Sequence, residues 1–297
     1  MDGRDRLAER FEEDRTHLRA VAYRMLGSLS EADDALQDAW LRVSRADTGD
    51  VENLTGWLTT VVSRVCLNML RTRTSRREDS LDVRIPVLPA AAPGEVEGVD
   101  PEQEALMADS VGLALLVVLD TLAPAERLAF VLHDMFAVPF EEIAPMIERT
   151  PAAARQLASR ARRRVRGQAP APDADRARRR RVVEAFLAAT RGGDFEALLT
   201  LLHPGVVLQA DATAVSSPVP VLVRGAESVA RGAMAAVARA RFTGVALVDG
   251  EVGLAMAPFG RLSLVLTFAI SDGAITDIAV IADRDRLRGM DIAVLAD

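Results

Sequence analysis

Between Thr150 and Arg163 the chain sets side chains that can read nucleic acid at helical spacing: Arg155, Gln156, Ser159, Arg160, Arg162 and Arg163. Arg pairs bidentately with guanine and Gln with adenine, while further Arg donors hold phosphates. This is recognition chemistry, with no bond made or broken. Ala154, Leu157, Ala161 and Val165 recur at i, i+3, i+7 and i+11 and predict the inward stripe of the same helix. Thr150 suits the N-cap, and Pro151 suits the first helical position, where no N–H is needed. Upstream, Phe140, Ile143, Ala144 and Ile147 predict a shorter helix, which Glu148-Arg149-Thr150 interrupts. The small residues Ala152, Ala153 and Ala154 let the two helices approach closely. The pair is laid out as a helix-turn-helix, whose second helix enters the major groove; Thr150 and Ala153 at its start join the candidate DNA contacts. A solvated helical hairpin with a charged face has the same pattern.

Residues suited to catalysis are sparse. There are three histidines (His17, His133 and His203) and one tyrosine, Tyr23. That is a thin basis for acid–base work. His203 sits in Leu202-His203-Pro204 at an expected helix end, where it caps carbonyls or packs. His203 and Asp211 are the candidate ligand or domain contacts of the C-terminal segment. The single cysteine, Cys66, falls in an apolar pattern and reads as a core residue; no disulfide can form within the chain and no Cys-based metal site exists. No metal or cofactor is expected.

The elements that must position these residues follow from periodicity. Phe11, Leu18, Val21, Ala22, Met25 and Leu26 predict a helix ended by Gly27. Ser30 is placed to cap the next helix, with Ala35, Leu36, Ala39, Trp40 and Val43 inward and an acidic outer stripe of Glu31, Asp34, Gln37 and Asp38. A third helix from Leu54 to Arg71 buries Leu58, Val61, Val62, Val65 and Leu67, with Arg64, Asn68 and Arg71 on a different face. Residues 79–101 hold four prolines and read as an extended linker. Helical patterning resumes at Glu102 and runs to Arg166, with a stop and restart at Leu122-Ala123-Pro124. A second linker covers 168–175. A helix from Ala177 to Arg191, a short helix through Leu202 and then strand signals at 206–208, 219–223, 242–248, 253–256, 262–270 and 274–282 complete the chain. Asp249-Gly250 and Asp272-Gly273 are hairpin turn signals. The expected domains are 4–78 and 102–167, both all-α, and 176–297, a small α+β unit.

Bulk properties agree with this division. A chain of 297 residues, 49% hydrophobic and 27% charged, is long and apolar enough for two or three folded domains. The net charge is −7, yet eleven arginines lie between Arg155 and Arg181 against only Asp173 and Asp175. Positive charge is thus concentrated where nucleic acid would bind. The charged stretch from Met1 to Glu13 is no signal peptide, and the apolar run Val111–Leu119 is too short to span a bilayer. A cytoplasmic protein with no membrane partner is expected.

AYRMLGSLSEADDALQDAWLRV, GWLTTVVSRVCLNMLRTRTSRRE and FEEIAPMIERTPAAARQLASRAR resemble regions 2.2, 2.3–2.4 and 4.2 of the extracytoplasmic-function (ECF) bacterial sigma factors. The C-terminal LLHPGVVLQAD, VRGAESVARG and GAITDIAVIADRDRL resemble the cone-shaped SnoaL/NTF2-like domain fused to the SigJ-like subset of that family. ATAVSS at 212–217 and Val87-Leu88-Pro89 depart from the usual pattern of that subset. The resemblance implies a polymerase contact on the β′ clamp helices by Asp34, Gln37, Asp38 and Leu41, and a further one on the β flap. It implies recognition of the −10 element by Trp57, Arg64, Asn68, Arg71 and Arg73, and of the −35 element by the helix-turn-helix. By spacing, Trp57 also fits a core position. Base flipping into a pocket would then open the promoter without chemistry by the protein. The C-terminal domain would regulate, with a small-molecule ligand as a candidate partner.

Two other readings share these features. A ligand-sensing helix-turn-helix regulator that acts independently of core polymerase would bind two-fold operators unaided. An enzyme with a helical appendage would need a complete polar site in the last domain.

Overall fold

In the computed structural model the described residues are 3–46, 51–79, 112–166, 174–215 and 217–295. They fall into two compact units, one drawn from 1–83 and 121–163, the other from 84–120 and 164–297. The linker expected at 79–101, the helical restart at Glu102 and most of the linker at 168–175 lie outside the described residues. Asp79, Ala174 and Asp175 are helical.

The first unit is all α. It comprises α1 (Gly3–Glu13), α2 (Arg15–Leu26), α3 (Leu29–Val43), α4 (Leu54–Asp79), α6 (Pro124–Phe130), a π-helical turn (Val131–Met135), α7 (Phe140–Met146) and most of α8 (Pro151–Arg166). The remaining helix of this part of the chain, α5 (Leu113–Thr121), groups mainly with the second unit. The apolar residues of α2, α3 and α4 interdigitate: Leu18, Val21, Met25, Ala32, Ala35, Leu58 and Val62 are all fully buried. The α3 cap differs from expectation. Ser28, not Ser30, is the N-cap, and its Oγ accepts the Glu31 amide at 3.5 Å. The helix starts two residues earlier because Leu29 then joins the core at 1% exposure, an apolar gain that Ser30 as cap would forgo. After the expected restart at Leu122-Ala123-Pro124, the helical patterning forms α6 followed by the π turn, whose C-cap is Phe136.

The C-terminal end of α2 organises the unit. The last carbonyls of a helix have no partner within it and carry partial negative charge. Gly27, at φ +85°, turns its N–H back to the Tyr23 carbonyl. The Arg127 guanidinium, 2% exposed, donates from Nε and Nη2 to the Arg24 carbonyl at 3.2 and 3.1 Å. Arg73 donates to the Leu26 carbonyl at 3.3 Å and to the Glu31 carboxylate. Two arginines distant in sequence therefore cap one helix end, and they tie α4 and α6 to it.

The second unit is α+β. Helices α9 (Ala174–Gly192) and α10 (Phe195–Leu201) precede β1 (Leu202–Ala210) and β2 (Val221–Arg224). Then come α11 (Ala226–Met234), α12 (Val237–Ala240), β3 (Thr243–Val248), β4 (Glu251–Met256), β5 (Leu264–Ser271), β6 (Ala274–Ile281), α13 (Arg284–Gly289) and β7 (Ile292–Ala293). The seven-stranded sheet has the order β2-β1-β6-β5-β4-β3-β7. Only the β1–β6 pair is parallel. Both Asp-Gly pairs form the turns their types predict, with positive φ at both residues: +51° and +84° at 249–250, +52° and +84° at 272–273. The expected two helices followed by strands omit α11, α12, α13 and β7. These are short elements held by packing on the sheet; α11 buries Val229 and Ala230 on one face, but its 9 residues are too few to stand out as a helix in the sequence, and the others are shorter still. Phe186 of α9 meets Phe268 of β5 edge-on, ring centres 5.5 Å apart, in the core of this unit.

Replacing Arg127 with Ala leaves the Arg24 carbonyl unpaired and a void in the first unit, so it should lower stability by about 2–3 kcal/mol in a denaturant titration. Burial pushes the Cys66 thiol up to about 12, with Arg127 opposing that rise. The native chain should therefore resist a thiol reagent at pH 8; in the Arg127 variant the lost cation alone would raise the thiol further, so faster labelling there would report the opened packing and not the charge. Rapid labelling of the folded wild-type chain would contradict this packing.

Candidate nucleic-acid interface

The helix-turn-helix closes through three local devices. The Arg149 amide donates to the Ala144 carbonyl at 3.0 Å, and Glu148 takes a left-handed φ of +55° at the turn. Thr150 Oγ1 then accepts the Ala153 amide at 3.2 Å and caps α8, as its type predicts. Ala154, Ala158 and Ala161, each fully buried, form the seam. Ala158 replaces the expected Leu157 at its centre: Leu157 and Val165 are half-buried. The stripe follows the steps of 4 and 3 that a 3.6-residue turn gives, and only methyl groups fit so close an approach.

Opposite the seam, Arg155, Gln156, Ser159, Arg160 and Arg163 are exposed. They are not all equally available. Arg162 is half-buried and donates from Nε to Asp134 at 2.7 Å, a hydrogen bond that raises its already high pKa. The Arg155 guanidinium lies 5.3 Å from the centre of the Phe140 ring. Arg160 stands 3.7 Å from Glu126. Gln156, Ser159 and Arg163 carry no such contact. Asp134 and Glu126 were missed by sequence reasoning, since nothing in their spacing relative to α8 shows a contact made only after the chain folds back.

A second surface lies on α4. Arg64, Asn68 and Arg71 are exposed at i, i+4 and i+7, and half-buried Trp57 lies one heptad before Arg64 on the same face. Arg73, grouped with them in the sequence, is half-buried and engaged by the Leu26 carbonyl and Glu31. The third surface is on α3. Asp34, Gln37, Asp38 and Leu41 are all exposed at i, i+3, i+4 and i+7, with Leu41 50% exposed. Asp33 beside this stripe is instead paired bidentately with Arg19 at 2.7 and 2.8 Å.

In the second unit the two predicted residues do structural tasks. His203 lies in β1, exposed, and its Nδ1 accepts the Gly205 amide at 3.1 Å. It caps no helix carbonyl and is not packed, because the chain passes directly from α10 into the strand. The Asp211 carboxylate accepts three amides at 2.8 Å each: Ala214 on Oδ1, Ala282 and Asp283 on Oδ2. Burial would raise its pKa, but the amides of Asp283, Ala214 and Ala282 and the nearby Arg286 outweigh that and hold it below the ordinary carboxylate value. Within the arginine run 176–181, Arg179 pairs with Glu251 and Arg180 with Glu184. Among the described residues no group of three or more His, Cys, Asp or Glu is placed to hold a metal ion, and no helix is long and apolar enough to cross a membrane.

Two helical modules with these surfaces define the sigma-70 class. Sigma-70 region 2 matches residues 11–76 and Sigma-70, region 4 matches 112–165. The chain is 38% identical over 94% of its length to the ECF RNA polymerase sigma factor SigJ of Mycobacterium tuberculosis, covering 92% of that protein. It is also 38% identical to the probable ECF RNA polymerase sigma factor SigI of the same organism, over 71% of this chain and 72% of that one. The crystal structure of SigJ aligns over 95% of this chain and 98% of its own at 34% identity, with a TM-score of 0.45. The chain belongs to the ECF RNA polymerase sigma factors. The likeness to SigJ runs through the C-terminal α+β unit as well as the two helical modules.

Replacing Asp211 with Ala orphans three amides and should destabilise the second unit by about 2 kcal/mol. Because the folded pKa is depressed, the stabilisation is complete above the unfolded value of about 3.9 and is lost as pH falls through the folded one. The difference in melting temperature between wild type and Asp211→Ala should be constant from pH 6 to 8 and shrink below pH 4. A gap that persists at low pH would assign the effect to something other than this carboxylate.

Proposed function

We propose that the three surfaces divide the work of transcription initiation. The exposed stripe of Asp34, Gln37, Asp38 and Leu41 docks on the β′ clamp helices of core RNA polymerase. The α4 face with Trp57, Arg64, Asn68 and Arg71 receives the opened −10 strand, with Arg73 joining it when its contacts to Leu26 and Glu31 are released. The α8 face reads the −35 element as duplex, and the region-4 module also meets the β flap. Modules at 4–78 and 102–167 carry these roles, and the unit at 176–297 controls them. Three exposed groups of one chemistry each, acidic-apolar on α3 and cationic on α4 and α8, are the observation that carries the reading. The protein performs no bond chemistry of its own, needs no cofactor, and acts in the cytoplasm, where polymerase and promoter are.

On α8, Gln156 and Ser159 carry base readout, since both are exposed and uncommitted. Arg163 carries phosphate contact. Arg155, Arg160 and Arg162 are preset by Phe140, Glu126 and Asp134, which fix their rotamers before DNA arrives. Thr150 and Ala153 bring the helix start close to the backbone, where its amides favour phosphate. The C-terminal unit is a binding or clamping domain with the fold of the SnoaL/NTF2-like group. It replaces a separate inhibitor rather than acting as an enzyme.

Run-off transcription with bacterial core polymerase on the promoter of the protein's own gene tests this assignment. The full chain should initiate only with core present, and Leu41→Asp should abolish initiation while leaving melting temperature unchanged. Gln156→Ala should cost about 1–3 kcal/mol at one base pair of the −35 element, whereas Arg163→Ala should weaken all sequences alike and reduce the salt slope by about 1. Tight, core-independent binding of duplex DNA with no initiation on any template would favour the ligand-sensing regulator. A chain ending at Gln168, checked for helicity, gives the sign of C-terminal control.

A further inference from the structure

The second unit encloses a cavity of about 260 Å³ between the inner face of the sheet and its helices. Its floor is made of branched apolar side chains: Leu208, Val223, Leu254, Leu266 and Val280. Leu208, Val223, Leu266 and Val280 are only half-buried although they point to the inside. The opposite wall is made of Gly232, Ala233, Ala236 and Ala240. Small side chains hold this space open where one larger residue would close it, and a well-packed core does not otherwise leave such volume. Val215, 42% exposed, also lines the cavity and gives it an edge to solvent.

The polar inventory of the lining is short. Among its described residues only Thr190, Ser228, Arg239 and Thr243 have polar side chains. The Thr190 hydroxyl already donates to the Phe186 carbonyl at 2.8 Å, and the Thr243 hydroxyl to the Arg239 carbonyl at 3.3 Å. Ser228 is exposed and Arg239 is half-buried, so their donors serve the rim and not the interior. Neither His203 nor Asp211 lines the space, and no carboxylate, imidazole, thiol or phenol does. A charged ligand would lose its hydration without compensating partners. An apolar cavity of about 150 Å³ takes benzene, so this one, less than twice as large, has room for about two fused rings.

We infer that the C-terminal unit binds one uncharged, mainly apolar small molecule of bicyclic size, bearing at most one oxygen that meets Ser228 or Arg239 at the rim, and that it does so without chemistry. The inference deepens the reading of this unit as a control domain and rests on it for its consequence, though not for the binding itself.

Calorimetric titration of the full chain with 1-naphthol and with 1-naphthoate, two probes of one shape and different charge, tests it. Naphthol should bind one per chain and at least tenfold tighter than naphthoate. Val223→Phe, which fills the cavity, should weaken naphthol at least tenfold without lowering the melting temperature; Ala233→Phe serves the same purpose if that variant does not fold. His203→Ala should leave binding unchanged. Absence of naphthol binding, naphthoate binding as tightly, or undiminished binding to both filled variants overturns the inference. Run-off transcription separates the two ideas. If naphthol binds but neither naphthol nor removal of the unit changes initiation, the control reading fails and the binding site stands. If removal of the unit changes initiation while naphthol does not bind, the site fails and the control reading stands.

Discussion

A helix end that cannot satisfy itself governs the first unit. The carbonyls closing α2 point to where water is excluded, and the chain answers with Gly27 and with two arginines drawn from α4 and α6. Burying the Arg127 charge is costly unless its donors are used and a negative partner is at hand. The helix terminus supplies both the acceptor and the partial charge. Because Arg127 is about a hundred residues from Arg24 in the chain, this one contact makes distant segments a single cooperative body. Cys66, fully buried in the same unit, has its thiol pushed up by burial, and the Arg127 charge opposes that rise.

The same demand for partners sorts the arginines on the surfaces. Eleven cluster between 155 and 181, and a reading by sequence treats them as alike. The fold does not. Arg162, Arg179 and Arg180 are paired with carboxylates, and Arg155 lies over a ring, while Arg163 is left open. A guanidinium held by an internal partner meets DNA with less freedom to lose, and an unheld one contributes mainly charge. The α8 face thus combines positioned and free donors over a seam of methyl groups that sets how the helix is presented.

In the second unit, charge is spent on architecture and the apolar interior is left incomplete. Asp211 joins the end of β1 to the segment after β6 through the amides of Ala282 and Asp283, across the parallel pair that no hairpin connects, while the Ala214 amide closes the local turn. A carboxylate so committed has little basicity left for catalysis. The interior beside it is lined mainly by apolar side chains around an open cavity. This division, a fixed polar frame around an apolar space, suits binding.

Much of this was legible in the residues themselves. Thr150-Pro151 marked the start of α8, and Gly27 the end of α2. The two Asp-Gly pairs set the hairpins, because each requires a local backbone conformation that few residues adopt. The exposed stripe on α3 followed from period alone, since Asp34, Gln37, Asp38 and Leu41 share a face whatever they pack against. Other features depend on partners that no local pattern identifies. Ser28 displaced Ser30 as cap because Leu29 had a core to enter. Arg73 and Arg162 went to Glu31 and Asp134, and Arg127 to the end of α2, through contacts between residues 28 to 103 positions apart. His203 left the helix for a strand, and α11, α12, α13 and β7 formed only because a sheet was there to receive them. The sequence by itself determined the longer helices, the hairpin strands and which helix faces carry charge, for these depend on neighbours a few residues away. Tertiary structure decided which charges remain free and where an apolar cavity stays open, since both are set by atoms that meet only when the chain has folded.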